Sequence, residues 1–202
     1  MRNAFLLISV LLLAACGAGP KGNSNLAYYD LGAMQPAPNN RIVASLRSID
    51  VFAVSWLDST AMQYRLLYAA NQRRQSFAES RWAAPPADLL GHALRKRMLS
   101  GEGSGACRLR IDLDEFLQAF DSAKDSRGVL DARVQLVAPT GGEILARRSF
   151  SVARPAATPD ARGGVAAMAA AVETFSTEMH DWLGGLDRSS AAGLNIAQRC
   201  KG

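Results

Sequence analysis

The chain has 202 residues, of which 49% are hydrophobic and 20% charged, and its formal net charge at pH 7 is +5. This length suits one domain of ordinary size with a real apolar core. The charge is mild and the arginines are scattered along the chain rather than clustered in a stripe, which argues against a nucleic-acid-binding protein.

The first sixteen residues, MRNAFLLISVLLLAAC, have the order of a signal peptide: a positive charge at Arg2, a short apolar run, and small residues before a cut. The run is shorter than the roughly 20 apolar residues of a membrane-spanning helix. Leu13-Ala14-Ala15-Cys16 resembles the lipobox of bacterial lipoproteins. That resemblance implies cleavage before Cys16 and acylation of its thiol and of the new amine. The alternative is an ordinary secretory signal with an incidental cysteine.

The sequence predicts four segments. Residues 1–15 are the signal peptide, and residues 16–25 are the lipidated cysteine and a flexible tether rich in Gly, Pro, Asn and Ser. Fully stretched, residues 17–25 would span about 30 Å. Residues 26–185 form the folded domain, and residues 186–202 form a polar C-terminal tail.

Short strands are predicted before the first helix, at residues 26–32, 41–54, 62–70 and 76–82. A loop with two prolines, residues 34–40, separates the first two of them. The alternation of apolar residues in the second strand changes phase near Arg47-Ser48, which indicates a bulge or a bend. The last two strands form a hairpin through a polar turn, Asn71 to Arg74.

Two amphipathic helices are predicted. The first begins at Pro85-Pro86, because proline is tolerated in the first turn of a helix. Its apolar face is formed by Leu90, Ala93, Leu94 and Met98. The second begins at Thr158-Pro159-Asp160, with Thr158 as the cap, and ends at Gly184-Gly185. Its apolar stripe is formed by Val165, Met168, Val172, Phe175, Met179 and Trp182.

Alternating strands lie between the two helices. Leu109, Ile111 and Leu113 alternate with polar residues, and the apolar phase then shifts to Phe116 and Phe120. Two further apolar faces are predicted from Leu130, Ala132, Val134 and Leu136, and from Ile144, Ala146, Phe150 and Val152. Such alternation is typical of antiparallel sheets with one wet face. The predicted fold class is α+β: a two-layer domain with a largely antiparallel sheet and two amphipathic helices on one face.

The chain has three cysteines. If Cys16 is lipidated, Cys107 and Cys200 remain, and an even pair in an exported protein favours a disulfide that closes a loop of about 90 residues. The alternative is two free thiols. The two histidines, His92 and His180, are far apart and lack nearby cysteines, so neither a metal site nor another cofactor is predicted.

Asp112 and Asp114 are the strongest candidates for catalysis, because they would share one face of a strand and could act as acid and base. The preferred interpretation is a solvated strand face beside Arg108 and Arg110. We therefore predict that the chain has no catalytic residues and is not an enzyme. The alternative functional class is an exported hydrolase.

Several motifs occur in an order that resembles a known family. They are the lipobox, the Tyr-Tyr strand that follows it, YRLLY at residues 64–68, FAESRWAAPP at residues 77–86, and EFLQAFD at residues 115–121. Together with the final helix, they resemble the ABC-type transport auxiliary lipoprotein component family, the PqiC-like lipoproteins of MCE-domain lipid-transport systems. The resemblance covers roughly residues 26–184. Leu57-Asp58-Ser59 departs from it, because the family often has a proline-rich approach there.

The resemblance implies a non-enzymatic lipoprotein on the periplasmic face of a membrane, docked onto an MCE-domain protein and components of an ABC-type transporter. By lipoprotein sorting rules, Gly17 after Cys16 favours the outer membrane over the inner one. Arg81 and Trp82 are proposed as an exposed partner-binding pair, since a surface Trp-Arg pair is a common interface anchor. The alternative is a Trp82 packed under the first helix. A homo-oligomer is left open, and the alternative function is a general envelope-assembly or structural lipoprotein.

Overall fold

The computed structural model describes residues 25–34, 46–99, 105–188 and 196–201. The predicted signal peptide, Cys16 and nearly all of the tether lie outside the described residues. So do most of the predicted loop at residues 34–40 and the start of the extended stretch at residues 41–54.

Seven strands form one sheet within the described residues. They are β1 (Ala27–Tyr29), β2 (Leu46–Ala53), β3 (Ala61–Leu66), β4 (Arg74–Trp82), β5 (Cys107–Phe120), β6 (Ser126–Val137) and β7 (Ile144–Pro155). The helices are α1 (Pro86–Met98), α2 (Ala161–Arg188) and the short α3 (Ile196–Arg199). A 3-10 turn, Ser55–Leu57, joins β2 to β3.

The strand order is β1-β4-β3-β5-β6-β7, and β2 pairs with the first half of β5. The pairs β3–β4, β5–β6 and β6–β7 are antiparallel and contain most of the paired residues. This confirms the predicted α+β class. The pairs β1–β4, β2–β5 and β3–β5 are parallel, which the sequence analysis did not predict. Alternation reveals which face of a strand is buried, but not the direction of its neighbour.

Bulges explain two phase changes in the sequence. The register of β2 on β5 shifts between Leu46 and Ser48, which confirms the predicted bulge or bend. A second shift, between Leu113 and Glu115, makes Asp114 an extra residue in β5. Because a bulge exchanges the two faces of a strand, Phe116 points to the same side as Leu113 in one continuous strand of 14 residues.

A third bulge makes one sequence prediction wrong. Leu136 pairs with Ala146 and Val137 pairs with Ile144, so Leu145 is the extra residue on β7. Leu145 consequently turns into the core and is 6% exposed, whereas Ile144, which was predicted to share the buried face, is 49% exposed. No pattern of apolar residues distinguishes Ile144 from Leu145 at this position.

Both predicted helices are present and pack on the same face of the sheet. The apolar face of α1 is buried against β2, and most of the stripe of α2 is buried against β5, β6 and β7. At Gly128 the backbone of α2 comes so close that an added Cβ would lie 2.8 Å from the amide nitrogen of Met168. A side chain at this position would therefore push the helix off the sheet.

The helix boundary at Gly184-Gly185 is wrong, because α2 continues through both glycines to Arg188. Each helical glycine costs only about 1 kcal/mol relative to alanine. Leu183 is buried and Leu186 packs against the core, so the apolar stripe continues beyond the glycines. Burial of these leucines offsets the low helix propensity of the glycines.

The end of the chain packs onto the start of β5. Ile196 and Cys200 are fully buried, and the amide of Ala106 donates a hydrogen bond to the carbonyl oxygen of Cys200 at 3.0 Å. Gly105 also forms a β-bridge with Lys201. Residues 196–201, which belong to the predicted polar tail with its favoured disulfide at Cys200, are therefore packed against the domain.

Asp160 caps α2, where the sequence analysis placed the cap at Thr158. Its Oδ1 accepts hydrogen bonds from the amide of Gly163 at 2.7 Å and from the hydroxyl of Thr158 at 2.8 Å. These two hydrogen bonds, the one from Gly163 first, hold the pKa of the Asp160 carboxyl below its ordinary value. The residue order Thr-Pro-Asp indicates the start of the helix correctly but leaves the capping residue ambiguous.

Replacing Asp160 with alanine is expected to lower the free energy of unfolding by about 1 kcal/mol, measured by urea denaturation, because the amide of Gly163 loses its acceptor. Asp160→Asn is the matched control, since asparagine caps helices about as well. The charge contribution of Asp160 should be present above pH about 4 and disappear as the pH falls through the lowered pKa of the folded state. Equal losses in both variants would contradict this role.

Candidate interaction surface

The helices cover one face of the sheet, and the opposite face is exposed to solvent. We call this opposite side the open face. Alternate residues of β2, β5, β6 and β7 point toward it, among them Asp50, Phe52, Arg108, Arg110, Asp112, Arg133, Gln135 and Arg147. A shallow groove of about 440 Å³ crosses it near the start of β5. The open face differs from the helix-covered face because it contains arginines together with exposed aromatic residues.

The first exposed aromatic residue on the open face is Phe52 of β2, which is 47% exposed. The guanidinium of Arg110 lies 4.3 Å from the centre of its ring. The same guanidinium donates to Asp112 Oδ1 at 3.0 Å, so the carboxylate holds the cation over the ring. The result is a stack of aromatic ring, arginine and carboxylate on neighbouring strands.

A second stack of the same kind is built around Trp56, which is 51% exposed in the turn after β2. The guanidinium of Arg74 lies 5.5 Å from the centre of its ring. Arg74 Nη2 also binds both carboxylate oxygens of Glu115, at 2.7 and 2.8 Å. Arg65 approaches the same carboxylate at 3.4 Å.

Both stacks favour binding rather than catalysis. Trp and Arg are enriched in the energetic centres of protein interfaces, and a cation held over an aromatic ring contributes about 0.5–1 kcal/mol at exposed sites. Since the arginines of both stacks are already fixed by carboxylates, little rotamer freedom is lost when a partner covers them. The open face therefore has the composition and rigidity of an interaction surface.

The candidate catalytic carboxylates are separately ion-paired. Asp112 binds Arg110, whereas Asp114 accepts two hydrogen bonds from Arg133 at 2.9 Å each. The bonds and charge of Asp114 raise the pKa of the Arg133 guanidinium above its ordinary value. Each of the two carboxylates is therefore paired with a different arginine. Within the described residues there is also no group of three His, Cys, Asp or Glu side chains that could hold a metal ion.

The predicted Arg81-Trp82 pair is not an exposed pair. Trp82 is 3% exposed and its ring contacts that of Phe116 edge to face, with centroids 5.5 Å apart. Side chains alternate between the two faces along β4. Ser80 and Trp82 therefore both point to the core, and Arg81 between them points to the opposite face. Arg81 stays partly exposed, and its guanidinium donates to the carbonyl oxygens of Ala78 and Ser80 at 3.3 and 2.8 Å.

Cys107 and Cys200 form the disulfide that the sequence favoured, with Cα atoms 4.9 Å apart across a sequence separation of 93. Both cysteines are fully buried. The bond ties the start of β5 to the segment that follows α3. Cys16 lies outside the described residues.

The two histidines lie on different helices. His92 is exposed on α1 and lines a pocket of about 380 Å³ beside the end of β1. His180 lies on α2, with its Nδ1 3.8 Å from the carboxylate of Asp181.

The motifs at residues 64–68, 77–86 and 115–121 come together on β3, β4 and β5. Tyr64 contacts Phe77 and Phe120, with ring centroids 4.8 and 5.7 Å apart. On the open face, the salt bridge between Arg74 and Glu115 joins β4 to β5. These motifs therefore build one continuous part of the fold around the second stack.

Sequence reasoning missed the aromatic residues of the open face. Phe52 occupies the polar phase of β2, between the apolar Val51 and Ala53, and a large aromatic side chain in that phase was the available signal. Trp56 lies between two predicted strands, and no role was assigned to it from the sequence. Its position above Arg74 depends on the pairing of β3 with β5, which no local pattern predicts.

Comparisons with known proteins agree with this fold. Residues 29–180 match the family model described as ABC-type transport auxiliary lipoprotein component. A crystal structure of a Xanthomonas campestris protein, classified in the family model DUF330, is similar with a TM-score of 0.68 and 20% identity, over 81% of this chain and 99% of that one. A second crystal structure, of an uncharacterized protein, has a TM-score of 0.60 and 16% identity, over 79% and 99%. No curated protein matches the sequence significantly.

None of the described helices is long and apolar enough to cross a membrane.

Proposed function

The chain belongs to the ABC-type transport auxiliary lipoprotein component family, and from this we propose that it is a lipid-anchored, non-enzymatic partner of an MCE/ABC-type system that moves lipids between membranes. The observation that carries the proposal is the family match over residues 29–180, which includes most of the sheet and both long helices. The lipobox at Leu13–Cys16 supports anchoring at Cys16, and Gly17 supports the outer membrane.

The non-enzymatic role is supported by the open face. Asp112, Asp114 and Glu115 are held in ion pairs with arginines, whereas the aromatic side chains of Phe52 and Trp56 stay exposed. A general acid or base needs a pKa matched to its task and a substrate within hydrogen-bond reach. The aromatic and arginine side chains instead suit contact with another protein.

The direction in which the chain enters the fold supports the same arrangement. Since β1 runs parallel to β4, residues 25 and 26 enter the sheet from the side of the end that contains Phe120. The stack of Phe52 and Arg110 lies toward the opposite end, because Arg110 is ten residues from Phe120 along β5, or about 33 Å at about 3.3 Å per residue. Residues 25 and 26 therefore enter the sheet at the end opposite this stack and leave the stack open to a periplasmic partner.

The test is a pull-down of the tagged full-length chain from membranes in mild detergent, with partners identified by mass spectrometry. We expect enrichment of an MCE-domain protein or of a permease or ATPase of an ABC-type transporter. An unrelated outer-membrane lipoprotein with the same tag is the control. Recovery of outer-membrane assembly proteins alone would contradict the proposal and favour a general envelope-assembly role.

A further inference from the structure

The strand β7 is a long free edge of the sheet. Among the described residues it pairs only with β6, so the backbone groups along its other side have no ladder partner there. The strand is 12 residues long, whereas β1 at the opposite edge has 3 residues. A long unpaired edge can accept the extended segment of another protein as an additional strand.

The charge of β7 is entirely positive. Residues 144–155 contain Arg147, Arg148 and Arg154 and no acidic residue. Within the described residues none of the three forms an ion pair: Arg148 lies 4.9 Å from the centre of the Phe150 ring, and Arg154 donates to the hydroxyl of Thr174 at 2.9 Å. The neighbouring strand differs, because Arg127 and Arg133 of β6 are both ion-paired with aspartates.

Side chains on β7 leave room for an approaching strand. On the open face it presents Ser149, Ser151 and Ala153, which are all exposed and small. A shallow depression of about 390 Å³ lies beside them and is lined partly by Arg133, Gln135 and Arg147. The edge therefore offers backbone hydrogen bonds, uncompensated positive charge and little steric obstruction.

We propose that an extended acidic segment of a partner protein adds to the edge of β7 as a further strand, with its carboxylates beside Arg147, Arg148 and Arg154. This deepens the proposed function, on which it rests, by naming the docking edge for a component of the same transport system. A second copy of this chain is a poor occupant. Two paired β7 strands would bring six arginines together without a carboxylate, and like charges on paired strands destabilise the pairing.

The experiment uses the mature full chain and two synthetic peptides, one of six Glu-Val repeats and one of six Lys-Val repeats. Binding is measured by fluorescence anisotropy, and hydrogen exchange locates the bound peptide. The acidic peptide should bind and slow amide exchange in residues 144–155, and the basic peptide should not bind. The double variant R147E/R148E should bind the acidic peptide at least about tenfold more weakly, because the attraction is replaced by repulsion.

The matched control is R47E/R73E, which makes the same change in net charge at two exposed arginines away from β7. It should bind within about twofold of the parent chain, since charges this far from β7 are largely screened by salt. Both variants should keep the melting temperature of the parent. Equal losses in the two variants, no binding of the acidic peptide, or protection outside β7 would overturn the proposal.

Two further arms separate this proposal from its rivals. Vesicles of phosphatidylethanolamine and phosphatidylglycerol should bind the parent and R147E/R148E equally; a loss confined to R147E/R148E would make β7 a lipid contact and overturn the proposal.

In the detergent pull-down, R147E/R148E should recover less transport component than the parent. Full recovery would refute the docking edge and leave the proposed function standing, whereas no recovery by the parent would refute the function itself.

Discussion

Replacing Cys16 with serine is expected to move the processed protein completely from the membrane fraction to the soluble periplasmic fraction. Serine offers no thiol for acylation, and stable anchoring of a protein takes two lipid signals or more, because one chain alone gives only marginal binding. Fractionation followed by immunoblotting measures the distribution. Cys16 lies eleven residues before Ala27, where the first described strand begins, so the melting temperature of the domain should be unchanged.

The matched control is Ser24→Ala, a substitution of similar size in the predicted tether that leaves Cys16 intact. Its distribution should equal that of the parent chain. The size of the product on the immunoblot separates the processed form from a precursor that still carries its signal. Processed Cys16→Ser protein that stays in the membrane fraction would contradict lipidation at Cys16.

Removing the disulfide is expected to lower the free energy of unfolding by about 3–4 kcal/mol, measured by urea denaturation of C107A/C200A. The bond closes a loop with a sequence separation of 93, so its loss returns much conformational freedom to the unfolded chain. It should also release the end of the chain, where Ile196 and Cys200 are buried. Limited proteolysis should therefore remove the end of the chain from the variant before it cleaves the sheet.

Reductant provides the control for the disulfide. The parent chain should lose stability when urea denaturation is repeated with dithiothreitol, whereas C107A/C200A should be unaffected. If the variant and the oxidised parent unfold at the same urea concentration, the disulfide contributes nothing measurable. Trimming of the parent and of the variant at equal rates would show that packing alone holds the end of the chain.

Local pattern predicted much of this fold. The 3.6-residue spacing of Met168, Val172 and Phe175 predicted the long helix, and the phase change near Arg47-Ser48 predicted a bulge or a bend. These features depend only on which side of an element faces the core. The parallel pairing of β3 with β5 could not be predicted in this way, because it depends on residues more than fifty positions apart.

The same limit applies to the candidate site. Trp82 was proposed from the sequence as an interface anchor and Trp56 was given no role, but Trp82 is buried against Phe116 and Trp56 is exposed above Arg74. Their exposure is decided by the strands and helices that cover them, which is a property of the tertiary fold. The free edge at β7 is likewise visible only when the strand order is known.

The most direct test of the transport role is purification from the side of the partner. A tagged MCE-domain protein is isolated in mild detergent from cells that express this chain, and the eluate is examined by quantitative mass spectrometry. We expect this chain to be recovered with the permease and the ATPase, and at a lower level from cells that carry Cys16→Ser. Recovery of permease and ATPase without this chain would contradict the transport role.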